Sequence, residues 1–330
     1  MNKIEAARQE YADWCQAIGI DTIEKLNDTL LEGEAIDLIN LCEARQERKY
    51  AQAADQIFWN RRRCPIVMMS GPSSSGKTSS SLRIAQQARV LGLNPKVIEL
   101  DNYFVNRDDT PLDENGERDY EALEAMDIRF LNEQLEDLLS GKEVNLPKFD
   151  FVAGVRTFPG ETMKLERNDI LFMEGIHALN PALTPKIPQS KIFRIYISAL
   201  SSLPGGHKEH NSTTDKRLLR RIVRDNRTRG ISPEENILRW PSVRRGEEKY
   251  IFPFDQNANV VFNSSTLYDM PLLKYYAEPL LCGISESSPA YAKAQELLDF
   301  MKNILPLKPI EIAAIPPTSI MREFIGGQTL

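Results

Sequence analysis

Residues 69–81 read MSGPSSSGKTSSS and directly follow the apolar run PIVM at 65–68. Within this stretch, residues 71–78 match the pattern G-x-x-x-x-G-K-[ST]. The apolar run predicts a strand at 66–69, and the pattern after the lysine predicts a helix at 77–91. A strand before the motif and a helix after it are the setting in which it binds phosphate, whereas a flexible serine linker needs neither. The stretch therefore predicts a loop that binds a nucleoside triphosphate.

The residue types in this loop suit a bound triphosphate. Small side chains let main-chain N–H groups converge on a phosphate, and the start of the following helix favours an anion. Lys77 supplies a positive charge for the β and γ phosphates, and Thr78 offers a hydroxyl to Mg²⁺. Contacts to the nucleotide are predicted for the whole loop and the residue after it: Gly71, Pro72, Ser73, Ser74, Ser75, Gly76, Lys77, Thr78 and Ser79.

Beyond residue 65, short apolar runs alternate with amphipathic stretches. Strands are predicted at 66–69, 96–100, 170–173, 192–197 and 259–262, with helices between most of them, such as 77–91 and 128–139. This alternation predicts an α/β fold in which a doubly wound parallel sheet lies between two layers of helices.

Three segments depart from the alternation. Residues 143–168 carry alternating apolar residues interrupted by Gly and Pro, which predicts a β-hairpin outside the sheet. Residues 1–60 are predicted to form a helical N-terminal extension, and residues 281–330 a helical C-terminal tail. The central domain is therefore predicted at 61–280, with a lid at about 203–232.

Composition narrows the function classes. The chain has 330 residues and a formal net charge of −6, which disfavours a general nucleic-acid binder. It has no apolar run of about eighteen residues, the length that a membrane span needs, and its N-terminus lacks the apolar core of a signal peptide. Four scattered cysteines without a CxxC pair are typical of reduced thiols. A soluble cytoplasmic protein is expected.

Acidic residues follow two of the predicted strands. Asp101 comes directly after 96–100, and Glu174 directly after 170–173. The carboxyl ends of parallel strands line the ligand crevice of such a sheet. Asp101 can there accept a proton from an attacking hydroxyl or hold the metal, and Glu174 can contact Mg²⁺. The alternative for each is an acid that caps a turn.

Arginines are concentrated in DKRLLRRIVRDNRTRG at 215–230. Arg217, Arg221 and Arg224, with Arg220 adjacent, lie along one face of the predicted helix, and leucine, isoleucine and valine side chains form the buried side. Such a helix can close over a transferred phosphate and neutralise its charge. The alternatives are a solvated helix or an RNA contact.

Five segments in this order resemble the uridine kinase/phosphoribulokinase family of P-loop kinases. They are SGPSSSGKT (70–78), LDNYF (100–104), LPKFDFVAGVR (146–156), LFMEGIHALNP (171–181) and RLLRRIVRDNRTRG (217–230). The sequence is most similar to bacterial uridine or nucleoside kinases whose larger relatives carry N-terminal domains resembling part of threonyl-tRNA synthetase. The resemblance implies a P-loop NTPase fold, ATP as the donor and Mg²⁺ as the metal.

The resemblance also implies roles for single residues. Asp101 activates a nucleoside 5′-hydroxyl and helps Thr78 and Glu174 to hold Mg²⁺. Lys77, Arg221 and Arg224 act on the transferred phosphate, and Arg229 binds the nucleotide. The residues implied to bind the acceptor are Tyr103, Tyr120, Glu121, Phe149 and Arg156.

Three positions depart from the family pattern. Glu121 replaces an aspartate that grips the ribose hydroxyls, and Phe149 replaces a tyrosine that contacts the base. Gly154 stands where pyrimidine-specific relatives have a histidine that hydrogen-bonds the base. Because a site built on a buried hydrogen bond discriminates strongly, its loss leaves the base preference open.

These features predict an ATP- and Mg²⁺-dependent kinase that phosphorylates a hydroxyl of a small molecule, with a nucleoside such as uridine as the leading acceptor. Another small alcohol is the first alternative: a sugar, a phosphorylated pentose or a pantothenate-like compound. An NTP-dependent regulator associated with RNA is the second, although the guanine motif N-K-x-D of GTPase switches is absent. No membrane or nucleic-acid partner is expected, and a homo-oligomer is compatible with the sequence.

Overall fold

Strands and helices alternate through the computed structural model, which describes residues 2–112, 116–200 and 212–330. The strands are β1 Ile66–Ser70, β2 Asn94–Glu99, β3 Val144–Asn145, β4 Lys148–Asp150, β5 Val155–Thr157, β6 Thr162–Met163, β7 Asp169–Glu174, β8 Ile192–Ser198 and β9 Val260–Asn263. The helices are α1 Lys3–Ala17, α2 Ile23–Leu31, α3 Ala35–Asn60, α4 Lys77–Val90, α5 Ile128–Leu139, α6 Ser212–Thr228, α7 Pro233–Tyr250, α8 Asp269–Cys282, α9 Tyr291–Met301, α10 Pro309–Ala313 and α11 Arg322–Ile325.

Five of the strands form one parallel sheet in the order β2-β7-β1-β8-β9. Alternate side chains of β1 point to opposite faces: Ile66 and Met68 pack in the same core as α5, and Val67 and Met69 pack in the same core as α3 and α4. The predicted three-layer α/β fold is therefore confirmed. The five predicted sheet strands are all present, and their ends differ by at most two residues from the prediction.

The sheet topology brings three strand ends together. Met69 of β1 and Glu99 of β2 are both register partners of Glu174 at the end of β7. A 3₁₀ turn, Leu100–Tyr103, continues from β2 and carries Asp101. Because the carboxyl ends of parallel strands share one edge, the loop after β1 lies beside Asp101 and Glu174.

The predicted hairpin region leaves the sheet between α5 and β7. It consists of two antiparallel ribbons, in which β3 pairs with β6 and β4 pairs with β5. Phe149 and Arg156 are register partners in the β4–β5 ribbon, so two of the residues predicted to bind the acceptor lie side by side.

The helices from both ends of the chain share one hydrophobic core with α6 and α8. Buried members include Leu26 and Leu38 near the N-terminus, Leu218 and Leu272 in α6 and α8, and Phe324 in α11. The domain division at residues 60 and 280 stays a prediction. In the described part of the chain, every helix is too short or too polar to pass through a lipid bilayer.

The structure corrects the placement of two arginines of α6. Arg217 and Arg220, predicted to belong to the arginine face of the lid, are 1% and 0% exposed. Arg220 Nη2 donates to Asp269 at 2.6 Å and to Ser264 O at 3.0 Å. This part of α6 is enclosed by α7 and α8, so both cations are structural. Residues 203–211 of the predicted lid lie outside the described residues.

Asp269 neutralises two buried cations. Arg220 Nη2 and Lys216 Nζ lie 2.6 and 3.5 Å from its Oδ2. Burial alone would raise the pKa of Asp269, but the two cations hold it below its ordinary value. We expect Asp269→Asn to lower the free energy of unfolding by about 3–5 kcal/mol, because both cations would lose their counter-charge.

Urea denaturation followed by circular dichroism measures this loss. Glu136→Gln is the control, since it removes the carboxylate of an exposed ion pair, and exposed pairs add little stability. Equal midpoints for the two variants would contradict the assigned role of Asp269.

Candidate active site

A cleft of about 360 Å³ lies at the carboxyl edge of the sheet. It is bordered by the loop after β1, by the ends of β2 and β7, and by α6 and α7. Most residues predicted for nucleotide, metal and catalysis line it together: Ser73, Ser74, Gly76, Lys77, Thr78, Asp101, Glu174, Arg221, Arg224 and Arg229. The other predicted loop residues are buried beneath this surface: Gly71, Pro72, Ser75 and Ser79.

The loop has the backbone that an anion site needs. Gly76 is the N-cap of α4 and has a φ of 80°, a left-handed conformation that glycine adopts without strain. A Cβ at this position would lie 2.3 Å from Ile320 Cδ1, so a larger residue would also collide. The N-cap residue gives the helix no side-chain hydrogen bond, so N–H groups at its start are available to a phosphate, apart from that of Ser79, which donates to Glu323 Oε2. Lys77 Nζ donates to Pro72 O at 3.4 Å, which holds the ammonium over the loop.

Two buried side chains hold the middle of this loop. Glu247, 2% exposed, accepts a hydrogen bond from Ser73 N at 2.9 Å. Arg217 Nη1 donates to Ser73 O at 3.0 Å, and its two terminal nitrogens donate to Glu247 at 2.5 and 2.8 Å. Such bidentate arginine–carboxylate pairs fix the relative orientation of the two side chains and are stronger than single neutral hydrogen bonds. Both main-chain polar groups of Ser73 are therefore satisfied by side chains of α6 and α7.

Two acidic side chains face the loop from neighbouring strand ends. Burial raises the pKa of Asp101, an effect that Lys77 opposes, while the side chain stays accessible to solvent from the cleft. Burial also raises the pKa of Glu174, again against the effect of Lys77. Thr78 Oγ1 donates to Glu174 Oε1 at 3.1 Å. Glu174 Oε2 is buried and has no hydrogen-bond partner among the described residues.

These oxygen atoms suit Mg²⁺. The ion prefers hard oxygen ligands and is usually held by one or two carboxylates together with substrate phosphates. Thr78, Asp101 and Glu174 line the same cleft, and Oε2 of Glu174 has no hydrogen-bond partner among the described residues, so it can accept a contact from a cation. Among the described residues, no group of three or more His, Cys, Asp or Glu side chains could hold a metal ion. The oxygen atoms of Thr78, Asp101 and Glu174 are of the kind that Mg²⁺ prefers.

Three arginines of α6 and its C-terminal end surround one buried aspartate. The Nε atoms of Arg224, Arg221 and Arg229 lie 2.7, 3.5 and 3.6 Å from the carboxylate oxygens of Asp225. Burial lowers the pKa of Arg221, and Asp225 offsets part of this effect. Arg221 Nη1 also donates to Ser73 Oγ at 2.9 Å. Asp225 thus holds three cations at the edge of the cleft.

The structure divides the residues predicted to bind the acceptor. Glu121 lines the cleft. Tyr103 does not: it is 1% exposed, and its hydroxyl donates to Gln134 Oε1 at 2.7 Å. The 3₁₀ turn after β2 places Tyr103 in the core while Asp101 stays at the surface. The acceptor role of Tyr103 therefore has no support from this cleft and stays a prediction.

Tyr120, Phe149 and Arg156 lie outside the lining of this cleft. Tyr120 is 51% exposed. Phe149 packs edge-on against two neighbouring phenylalanine rings. Arg156 Nη2 donates to Asp127 Oδ2 at 2.9 Å, and its guanidinium lies 4.8 Å from the centre of the Phe130 ring. An acceptor contact by Arg156 would have to compete with this ion pair, and the acceptor roles of all three residues stay predictions.

Gly154 lies in the turn of the β4–β5 ribbon with a φ of 72°. A Cβ there would lie 2.7 Å from Nε of Arg107. Arg107 Nη2 donates to Phe151 O at 2.7 Å, so the arginine fills the space that a side chain at position 154 would need. A histidine at this position would have to displace Arg107 and adopt a strained backbone.

Sequence reasoning missed two carboxylates of the cleft, Glu247 and Glu323. Glu323 belongs to α11, and its Oε2 accepts hydrogen bonds from Ser79 N at 3.4 Å and from Ser79 Oγ at 2.5 Å. Both glutamates lie more than 170 residues beyond the loop in the chain. Neither lies in the phosphate loop or directly after a predicted strand, so the reasoning that found Asp101 and Glu174 does not reach them.

The parallel sheet with a glycine-containing phosphate loop between β1 and α4 defines the class of P-loop proteins. Residues 66–270 match the model of the Phosphoribulokinase / Uridine kinase family, which is more than half of the chain. The chain belongs to this family. It is a phosphotransferase, as predicted, and the family implies ATP as the phosphate donor.

Curated relatives and a solved structure can be compared directly. Uridine kinase from Macrococcus caseolyticus is 29% identical over 197 residues, which cover 59% of this chain and 86% of that one. Uridine kinase from Ligilactobacillus salivarius is 28% identical over 204 residues, covering 61% and 86%. D-glycerate 3-kinase from Cryptococcus neoformans superimposes with a TM-score of 0.34 at 13% identity, covering 84% of this chain and 87% of that one. This structural likeness is too low to bear on the substrate.

The surroundings of Glu121 raise the pKa of its carboxyl group. Burial raises its pKa, Glu247 and Asp101 raise it further, and Lys77 opposes them in part. With a raised pKa, the folded state binds more protons than the unfolded state, so stability falls as the pH rises through this interval. We expect Glu121→Gln to raise the melting temperature at about pH 8 and to lose this gain toward about pH 5, near the ordinary pKa of glutamate.

Differential scanning calorimetry at the two pH values measures the gain. The exposed Glu124→Gln, three residues along the chain, is the matched control and should leave the pH dependence unchanged. A Glu121→Gln protein with the same gain at both pH values would show that the effect is not a titration.

Proposed function

We propose that this protein transfers the γ-phosphate of ATP to a hydroxyl of a small molecule in the cytoplasm, with the 5′-hydroxyl of a nucleoside such as uridine as the leading acceptor. The observation that carries the proposal is the convergence of Lys77, Asp101 and Arg221 on one cleft. Phosphoryl transfer needs a phosphate cradle, a group that orients the acceptor and cations around the transferred group. The names of the two uridine kinases support a nucleoside.

The phosphate loop binds the donor in this proposal. The N–H groups at the start of α4 and the ammonium of Lys77 hold the β and γ phosphates. Thr78, Asp101 and Glu174 are the residues that would hold Mg²⁺, which when bound neutralises charge on the phosphate oxygens. Arg221, with Arg224 and Arg229 beside it, balances the negative charge on the phosphate during transfer.

Asp101 orients the acceptor hydroxyl and takes its proton. A carboxylate whose pKa is raised by burial is a stronger base than one in water, and Asp101 is accessible from the cleft. Glu121 lines the same cleft and can accept hydrogen bonds from two adjacent hydroxyls, such as those of a ribose. Together the two carboxylates favour a polyhydroxylated acceptor.

An acceptor screen tests this function. Nucleosides, sugars, phosphorylated pentoses and pantothenate are each added to the protein with ATP and Mg²⁺, and ADP release is measured. We expect release to depend on a nucleoside. If ADP release depends only on a sugar or only on pantothenate, the protein is a kinase as proposed, but its acceptor is that compound and not a nucleoside. No dependence on any acceptor, together with RNA binding that weakens steeply with salt, would favour the regulator instead.

Asp101→Asn separates chemistry from donor binding. The amide cannot accept the acceptor proton, so we expect turnover to fall by about a hundredfold or more. The affinity for ATP should survive, because the loop and Lys77 are unchanged. Steady-state kinetics and calorimetric titration with ATP measure the two quantities.

Asp109→Asn is the matched control, since Asp109 is an exposed aspartate on the following turn and does not line the cleft. Its turnover should equal that of the unmodified protein. Normal turnover in the Asp101→Asn protein would remove Asp101 from the mechanism.

A further inference from the structure

The C-terminal tail closes over the start of α4. Glu323 Oε2 accepts hydrogen bonds from the N–H and the hydroxyl of Ser79 at 3.4 and 2.5 Å. Gln328 Nε2 donates to the same hydroxyl at 2.7 Å. Ile320 lies directly against Gly76, where an added Cβ would be 2.3 Å away. The tail therefore contacts both the cap and the first turn of the helix that the phosphate loop leads into.

Helix α6 holds this part of the tail in place. Arg227 Nε donates to Phe324 O at 3.3 Å, and its Nη2 donates to Glu323 O at 3.4 Å. The guanidinium of Arg220 lies 5.0 Å from the centre of the Phe324 ring, and that ring is fully buried. These contacts hold the main chain of Glu323 and Phe324 against α6.

Ser79 N–H is a group that an anion would be expected to bind. The first hydrogen bond within α4 runs from Ser80 N to Gly76 O, so the N–H of Ser79 has no partner inside the helix. Unpartnered N–H groups at a helix start, with the helix dipole, attract phosphate. Glu323 supplies a carboxylate at this position, and it lines the same cleft as Lys77 and Thr78.

We propose that Glu323 is an internal competitor for the phosphates of the nucleotide and thereby sets the affinity for ATP. Its carboxylate must leave Ser79 before a phosphate oxygen can take that N–H, because two anions at one helix start repel each other strongly away from bulk water. This inference rests on the proposed function, since it assumes that the triphosphate lies in loop 71–78. The tail of the chain then belongs to the donor site as an element that lowers its affinity.

Glu323→Gln tests the proposal with little change of shape. Glutamine can still accept the two hydrogen bonds from Ser79 through its carbonyl oxygen, but it carries no charge. Calorimetric titration with ATP and Mg²⁺, without an acceptor, measures the dissociation constant. We expect it to fall by about tenfold or more in Glu323→Gln, since the competing negative charge is gone. A second titration with pyrophosphate should show the same direction.

Glu311→Gln is the matched control. Glu311 lies on the same tail and accepts a hydrogen bond from Lys308 N at 2.7 Å, and it does not line the cleft. Its dissociation constant for ATP should equal that of the unmodified protein. A variant that merely loosened the tail would show a lower melting temperature without tighter binding, so both quantities are measured for each variant.

The outcomes separate this inference from the function on which it rests. A lower dissociation constant for ATP in Glu323→Gln than in the unmodified protein supports the proposal that Glu323 competes with the phosphates. Measurable binding by the variant when the unmodified protein shows none supports it as well. Unchanged or weaker binding by Glu323→Gln, with clear binding by the unmodified protein, overturns the competitor and leaves the donor site in place. If neither protein binds ATP or pyrophosphate, the assignment of the ATP site to loop 71–78 is wrong, and the proposed role of Glu323 is wrong as well.

Discussion

The buried ion pair between Arg217 and Glu247 is the interaction on which the cleft depends. The two side chains occupy the C=O and the N–H of Ser73, so the phosphate loop takes its position from α6 and α7. A buried pair repays its desolvation only with good geometry and further hydrogen bonds. The Arg217–Glu247 pair is bidentate, and Arg244 Nη1 donates a further hydrogen bond to Glu247 at 2.9 Å. A movement of either helix would therefore be transmitted to the loop.

Helix α6 contributes arginines both to the protein interior and to the cleft, because these side chains face different surroundings. Arg217 and Arg220 point into the protein and meet Glu247 and Asp269, whereas Arg221 faces the cleft. Arg217 and Arg220 are three residues apart, as are Arg221 and Arg224, so the two members of each pair lie on neighbouring turns. The arginines of α6 therefore have two roles. Arg217 holds the phosphate loop from the protein interior, and Arg221 offers a positive charge to a phosphate in the cleft.

The fold could be predicted from the sequence because its signals are local. The strand, the small residues of 71–78 and the following helix lie within one short stretch, and the apolar runs mark the other strands. Asp101 and Glu174 followed from their positions at strand ends. Glu247 and Glu323 could not be found, because each meets the loop only through long-range packing. The burial of Tyr103 could not be predicted, because residues in a 3₁₀ turn face different directions and its sequence neighbours do not reveal which one turns inward.

The central claim is that the loop and the strand ends form one site, in which a triphosphate and an acceptor hydroxyl meet between Lys77 and Asp101. A crystal structure with a non-hydrolysable ATP analogue, Mg²⁺ and uridine tests this most directly. The account predicts the terminal phosphate beside Lys77 and an acceptor hydroxyl within hydrogen-bonding distance of Asp101. An analogue bound outside loop 71–78, or an acceptor bound in the cleft with its hydroxyls directed away from Asp101, would contradict it.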